Sequence, residues 1–179
     1  MKKLLTLVSA VAVAGVFTTA SAIDRSGKFA LGFQEQVSDG ILDGSKNSLG
    51  SWSLKYGFSP STTGQFIFGF DMGKEINKRY SFGARLLADI VENENSDFYS
   101  GVGILFDNQD EGNRDIRVSI PLGLEFSFSG LPEIGFSAEA GLVIDFAIDR
   151  PTGVDKPVQF SSVGGQIGGA LGLGVHYYF

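Results

Sequence analysis

ALGLGVHYYF (Ala170–Phe179) closes the chain in a two-residue rhythm. Leu171, Leu173, Val175, Tyr177 and Phe179 fall on one side, and Ala170, Gly172, Gly174, His176 and Tyr178 on the other. That period belongs to a β-strand, in which successive side chains point to opposite faces. A soluble domain more often frays into a polar tail at its end. An aromatic last residue therefore asks for an apolar or interfacial setting.

The same rhythm runs through most of the chain. In SWSLKYGF, Trp52, Leu54, Tyr56 and Phe58 oppose Ser51, Ser53, Lys55 and Gly57. In QFIFGFDM the apolar set is Phe66, Phe68, Phe70 and Met72. In IRVSIPLGLEFSF, seven apolar residues from Ile116 to Phe128 alternate with Arg117, Ser119, Pro121, Gly123, Glu125 and Ser127. The 25 glycines and 16 phenylalanines among 179 residues suit close-packed strands better than helices. With no cysteine, the chain has no disulfide, thiolate metal site or cysteine nucleophile.

The first 22 residues, MKKLLTLVSAVAVAGVFTTASA, read as an export signal. Lys2 and Lys3 supply the basic start, Leu4 to Val16 the apolar run, and Ala20-Ser21-Ala22 the small-residue cleavage site. The mature domain is then residues 23–179. Losing Lys2 and Lys3 takes the formal charge from −6 to −8, which argues against nucleic acid as a partner, since phosphate binding needs clustered Lys and Arg. No later stretch approaches the roughly 18 consecutive apolar residues of a membrane-spanning helix.

Eight alternating segments are predicted, at residues 27–36, 49–58, 64–73, 79–91, 97–107, 114–128, 133–148 and 166–179. Links after the second, fourth and sixth are short; those after the first, third, fifth and seventh are mostly longer and polar. An even strand number with tight turns at one end and loops at the other predicts an all-β fold: an eight-stranded antiparallel up-and-down transmembrane β-barrel. In such a barrel the apolar face meets lipid, and the backbone pairs around a closed ring. The opposite face fits an interior: it is mostly Gly, Ser and Ala, with Lys55, Arg85, Asp89, Arg117, Glu125, Glu139, Asp145 and His176 among them.

On these residues the mature chain resembles the small eight-stranded outer-membrane barrels of the OmpA/OmpX and opacity-protein, porin-like type. The ending with Val175, Tyr177 and Phe179 is similar to the carboxy-terminal signal that the barrel assembly machinery reads in Gram-negative outer membranes. Pro121 to Leu142 is similar to the hairpin of the sixth and seventh strands in porin-like sequences. The resemblance implies an outer-membrane location, lipid as surroundings, and loops facing an extracellular ligand or host surface. Nothing follows Phe179, so the wall-binding domain attached to OmpA-type barrels, and its tethering role, are not carried over.

Assuming a tight turn at 130–132, residue numbers paired across the sixth and seventh strands sum to about 262, which sets Arg117 opposite Asp145. Because buried charges are costly unless paired, the lumen is predicted to hold a network of Lys55, Arg85 and Arg117 with Glu125, Glu139 and Asp145. That network either plugs the barrel or gates a narrow pore for ions or small solutes.

No cofactor, metal or catalytic constellation is predicted, and the chain is read as a non-enzyme. His176, the one histidine, faces inward, away from any lipid substrate. Asp107, Asp110, Glu111 and Asp115 around Gly112 lack full calcium-loop spacing. Val154, Val158 and Phe160 in the last loop either touch a partner or extend the wall. The expected work is structural or surface binding through four loops, with a narrow pore as the alternative.

Overall fold

A computed structural model describes residues 24–36, 50–72, 78–108, 114–149, 158–163 and 172–179. The expected export signal, most of the longer connections and the Asp110–Glu111 segment lie outside the described residues. The strands are β1 (Phe29–Gln36), β2 (Gly50–Ser59), β3 (Thr62–Met72), β4 (Lys78–Asn93), β5 (Ser96–Asn108), β6 (Arg114–Phe128), β7 (Leu131–Asp149), β8 (Val158–Val163) and β9 (Gly172–Tyr178).

Each strand pairs antiparallel with the next from β1 to β7, and β9 pairs with both β7 and β1. The sheet therefore closes into an eight-stranded up-and-down barrel. Among the described residues each of β1–β7 and β9 has a partner strand on both sides, so the ladder supplies backbone partners around the ring, while β8 pairs with β7 alone. At the junction Leu31 faces Tyr177 and Phe33 faces Val175, and the Phe179 N–H donates to the Phe29 carbonyl at 2.9 Å. The final aromatic is thus fastened beside the start of β1.

The eighth position differs from its expected span of 166–179. Two segments fill it: β9 pairs with Ile134–Glu139 of β7, and β8 pairs with Gly141–Phe146 further along the same strand. The sequence pattern places residues 158–163 in a loop, whereas they form β8. Their Val158 and Phe160 oppose Phe146 and Ile144, so they extend the wall.

The β6–β7 register follows the tight turn at 129–130: Arg117 faces Asp145, Pro121 faces Gly141 and Glu125 faces Ser137. On the other side of β6 the ladder pairs Ser100 with Leu122 and Gly103 with Ser119, with no pairing between. Pro121 lies in that gap and has no N–H to give. The Ser100 hydroxyl instead donates to the Pro121 carbonyl at 2.9 Å.

The two faces divide by chemistry. Among the described residues, 17 polar or charged side chains are buried against seven apolar ones. Trp52, Leu54, Phe58, Phe66, Phe70, Phe82, Ile104, Leu122, Leu142 and Leu173 are all exposed. This inverts a soluble β-sandwich, whose inner faces are apolar. Aromatic rings gather on the outside at both ends. Near the tight turns Phe29 packs on Tyr56 at 4.6 Å between centroids, Phe126 on Phe136 at 5.5 Å and Tyr177 on Phe179 at 6.4 Å. Toward the far end Phe82 packs on Phe106 at 5.2 Å. No helix among the described residues is long and apolar enough to cross a membrane; strands are the only elements available to do so.

Candidate functional site: the charged lumen

Inward-facing positions of β1–β7 and β9 meet in the barrel interior, and their longest side chains form two clusters there. The first lies near the tight turns. Glu125, near the end of β6, is 2% exposed and accepts from Lys55 Nζ of β2 and from Arg25 Nη1, the latter at 2.6 Å. Tyr178 of β9 donates its hydroxyl to Glu125 Oε1 at 2.6 Å. Arg25 also lies 3.4 Å from Asp97 Oδ2 of β5 and 4.5 Å from the centre of the Tyr178 ring. One carboxylate therefore answers two cations and a phenol. Desolvation of each charge is offset by a partner at hydrogen-bond distance.

The second cluster lies deeper. Arg85 of β4 grips Glu139 of β7 through two parallel bonds, Nη1 to Oε2 at 2.8 Å and Nη2 to Oε1 at 2.9 Å. The Tyr99 hydroxyl donates to the same Oε1 at 2.6 Å. Gln65 accepts from Arg85 Nε and Nη2 at 3.0 and 2.6 Å, then donates to the Ser53 hydroxyl at 2.7 Å. Ser53 in turn lies 2.8 Å from His176 Nε2. Tyr99 reaches Glu139 by crossing over Gly123 of β6, where a Cβ would stand 2.3 Å from the ring's Cζ. Glycine is required there by close approach.

The residues named from sequence distribute as follows. Lys55 and Glu125 meet in the first cluster, and Arg85 and Glu139 in the second. Glu125 and Glu139 do not touch each other; each has its own cation. Arg117 faces Asp145 across the ladder, and its Nη1 lies 3.3 Å from Asp107 Oδ2 on the opposite neighbour, β5. The Asp145 side chain lies outside the described residues. Asp89 is half-buried beside the irregularity between Asp89 and Val91, and adds a carboxylate to the field around Arg25. Val175, Tyr177 and Phe179 line the outer face of β9.

Sequence reasoning missed Arg25, Asp97, Tyr99 and Gln65. The last three occupy inward positions of strands it had drawn, and strand alternation alone could have found them. Arg25 precedes the first strand and has no periodicity to mark it. It is held inside by a hook in which Ser26 bridges to Gly57 and the exposed Asp24 caps the turn. The Ser26 hydroxyl and its backbone N–H hold the Asp24 carboxyl below its usual range, the N–H donating at 2.9 Å.

The geometry brings opposite charges together inside the barrel. The Ser53–His176 contact pairs a hydroxyl with an imidazole. Both residues are fully buried, and among the described residues no hydrogen-bond partner orients His176 Nδ1.

Comparison with known proteins agrees with the architecture. The barrel is similar to the N-terminal β-barrel domain of Pseudomonas aeruginosa OprF, with a TM-score of 0.51 and 15% identity over 86% of this chain and 98% of that one. No protein-family model and no curated protein matches the sequence. At that identity the likeness is one of fold.

Proposed function

We propose, taking as premise a closed eight-stranded barrel of the small OmpA architectural type, that the chain is an integral outer-membrane protein. Its role is structural or surface-binding, carried by the four connections at the end opposite the tight turns. The observation that carries this reading is the inverted polarity: a wall of Phe, Leu, Ile and Val outside and paired ions within. Large exposed apolar area on a soluble monomer is a liability, whereas in hydrocarbon it is the required surface and the charged interior stays hidden from it.

Strand length supports the assignment of the ends. A barrel strand needs about 9–11 residues to cross the hydrocarbon, and β4, β5, β6 and β7 have 16, 13, 15 and 19. Their surplus raises the connecting segments above a bilayer, as surface display requires. In this reading Val175, Tyr177 and Phe179 serve the assembly machinery, and lipid is the barrel's constant partner.

Expressed with residues 1–22 in a Gram-negative host, the chain should stay with membranes through a carbonate wash and migrate faster unboiled than boiled. Trypsin added to intact cells should cut at Lys46 and Lys74. Recovery in the soluble fraction, with one migration whatever the heating, would overturn the assignment.

A narrow pore is the second reading. It is favoured by the polar series that runs inward from Asp97 and Glu125 to Gln65, Ser53 and His176. Ion current through the refolded protein, altered by Glu125→Gln, is its expected signature.

A further inference from the structure

The hook before β1 places a cation where the barrel interior would otherwise open toward the tight turns. Arg25 is only 8% exposed although it belongs to no strand. It enters by a short backbone latch onto the end of β2: Gly27 N–H donates to Gly57 O at 2.8 Å, Gly57 N–H to Lys28 O at 3.1 Å, and Lys28 N–H to Arg25 O at 3.0 Å. Its guanidinium then meets Glu125, Asp97, the Ser127 hydroxyl at 3.4 Å and the Tyr178 face. These partners come from β6, β5 and β9, so one side chain ties β9, the partner of β1, to two strands that neighbour neither the hook nor β1.

We infer that residues Asp24–Lys28 form a tethered cationic stopper, which closes the turn-side mouth of the lumen by seating Arg25 in the Glu125–Asp97–Tyr178 receptor.

Two features separate a stopper from an ordinary structural pair. The first is redundancy at the centre of the seat: Glu125 keeps Lys55 as a partner when Arg25 leaves, so withdrawal leaves Glu125 with a cation and takes one from Asp97 alone. The second is the latch. A Cβ on Gly57 would stand 2.1 Å from the Arg25 carbonyl oxygen and 2.8 Å from its carbonyl carbon. Those are backbone atoms without a rotamer to escape into, so Gly57→Ala displaces the hook while leaving every charge of the receptor in place. The inference rests on the bilayer-barrel reading only for the identity of the two sides. The closure itself is a property of the folded barrel.

The absence of cysteine permits a direct test. Ser53 is fully buried, one inward position further along β2 than Lys55. In the refolded Ser53→Cys protein, a small cationic methanethiosulfonate should react slowly. Adding Arg25→Ala should accelerate labelling at least tenfold, and adding Gly57→Ala should do the same. Arg117→Ala, whose partner Asp107 lies toward the other end of β5, should leave the rate unchanged.

Equal rates in the parent and the Arg25→Ala protein would overturn the stopper, as would equal acceleration by Arg117→Ala. Acceleration by Arg25→Ala but not by Gly57→Ala would overturn the latch and leave a simple packing role. The gel shift on boiling confirms folding for each variant before labelling. Loss of that shift in the unmutated chain is the separate result that would remove the bilayer reading.

Discussion

Glu139→Ala is the substitution whose cost the structure specifies most closely. The Glu139 carboxylate receives two bonds from Arg85 and one from Tyr99, and the Arg85 and Glu139 side chains are each 1% exposed. Removing it leaves the buried guanidinium with the Gln65 carbonyl. Breaking a buried pair on one side costs about 3–5 kcal/mol, a large part of the roughly 5–15 kcal/mol that holds a typical domain together. Arg85→Ala should cost a similar amount by leaving the carboxylate with Tyr99. The double variant removes both charges together. Its remaining loss is packing plus one unpartnered phenol, about 1–3 kcal/mol for the phenol.

The pair should therefore couple strongly, with the double loss about 2–3 kcal/mol smaller than the sum of the singles. The assay is urea unfolding from lipid vesicles, followed by emission from Trp52, the chain's one tryptophan, which stands on the outer face. Single losses that add to the double within about 0.5 kcal/mol would refute the reasoning.

Arg117→Ala should cost about 1–3 kcal/mol: its own side chain is 25% exposed, but the change takes that cation away from the Asp107 carboxylate, which is 2% exposed; the same urea midpoint reads it. Gly123→Ala should cost about 1–3 kcal/mol as the new methyl meets the Tyr99 ring, and Tyr99→Leu in the same chain should relieve part of that loss. Tyr99→Phe keeps the ring over Gly123 but removes a bond to a carboxylate, worth about 1.5–3 kcal/mol in the unfolding free energy. Phe179→Ala should lower the heat-modifiable fraction recovered from cell membranes while leaving refolding of purified protein into detergent unchanged.

Strand alternation made the barrel legible because period two sorts every residue to one face or the other. Trp52, Leu54 and Phe58 against Ser53 and Lys55 already declare a sheet with opposed surfaces. The β6–β7 register was legible too, since a short turn fixes the pairing sum and Arg117 must then face Asp145. What the pattern withheld is physical in origin. A strand residue has two neighbouring strands, and Arg117 contacts Asp107 on the side that no tight turn specifies.

β8 escaped because six residues with three apolar ones, Val158, Phe160 and an out-of-phase Val163, give too little alternation. Their pairing depends on how far β7 rises. Arg25 escaped for a different reason. Its place in the lumen comes from a backbone latch to Gly57, a contact between a segment before β1 and the end of β2 that no local sequence rule encodes.

The central claim is that the exposed apolar wall faces hydrocarbon. Quenching of Trp52 emission in vesicles carrying bromines on their acyl chains tests it at one residue, 38% exposed on the outside of β2 beside Phe33. With Trp52 facing acyl chains, its emission should be blue-shifted, strongly quenched by the brominated chains and little affected by aqueous iodide. Quenching by iodide with no effect from bromolipid would place this wall in water and contradict it.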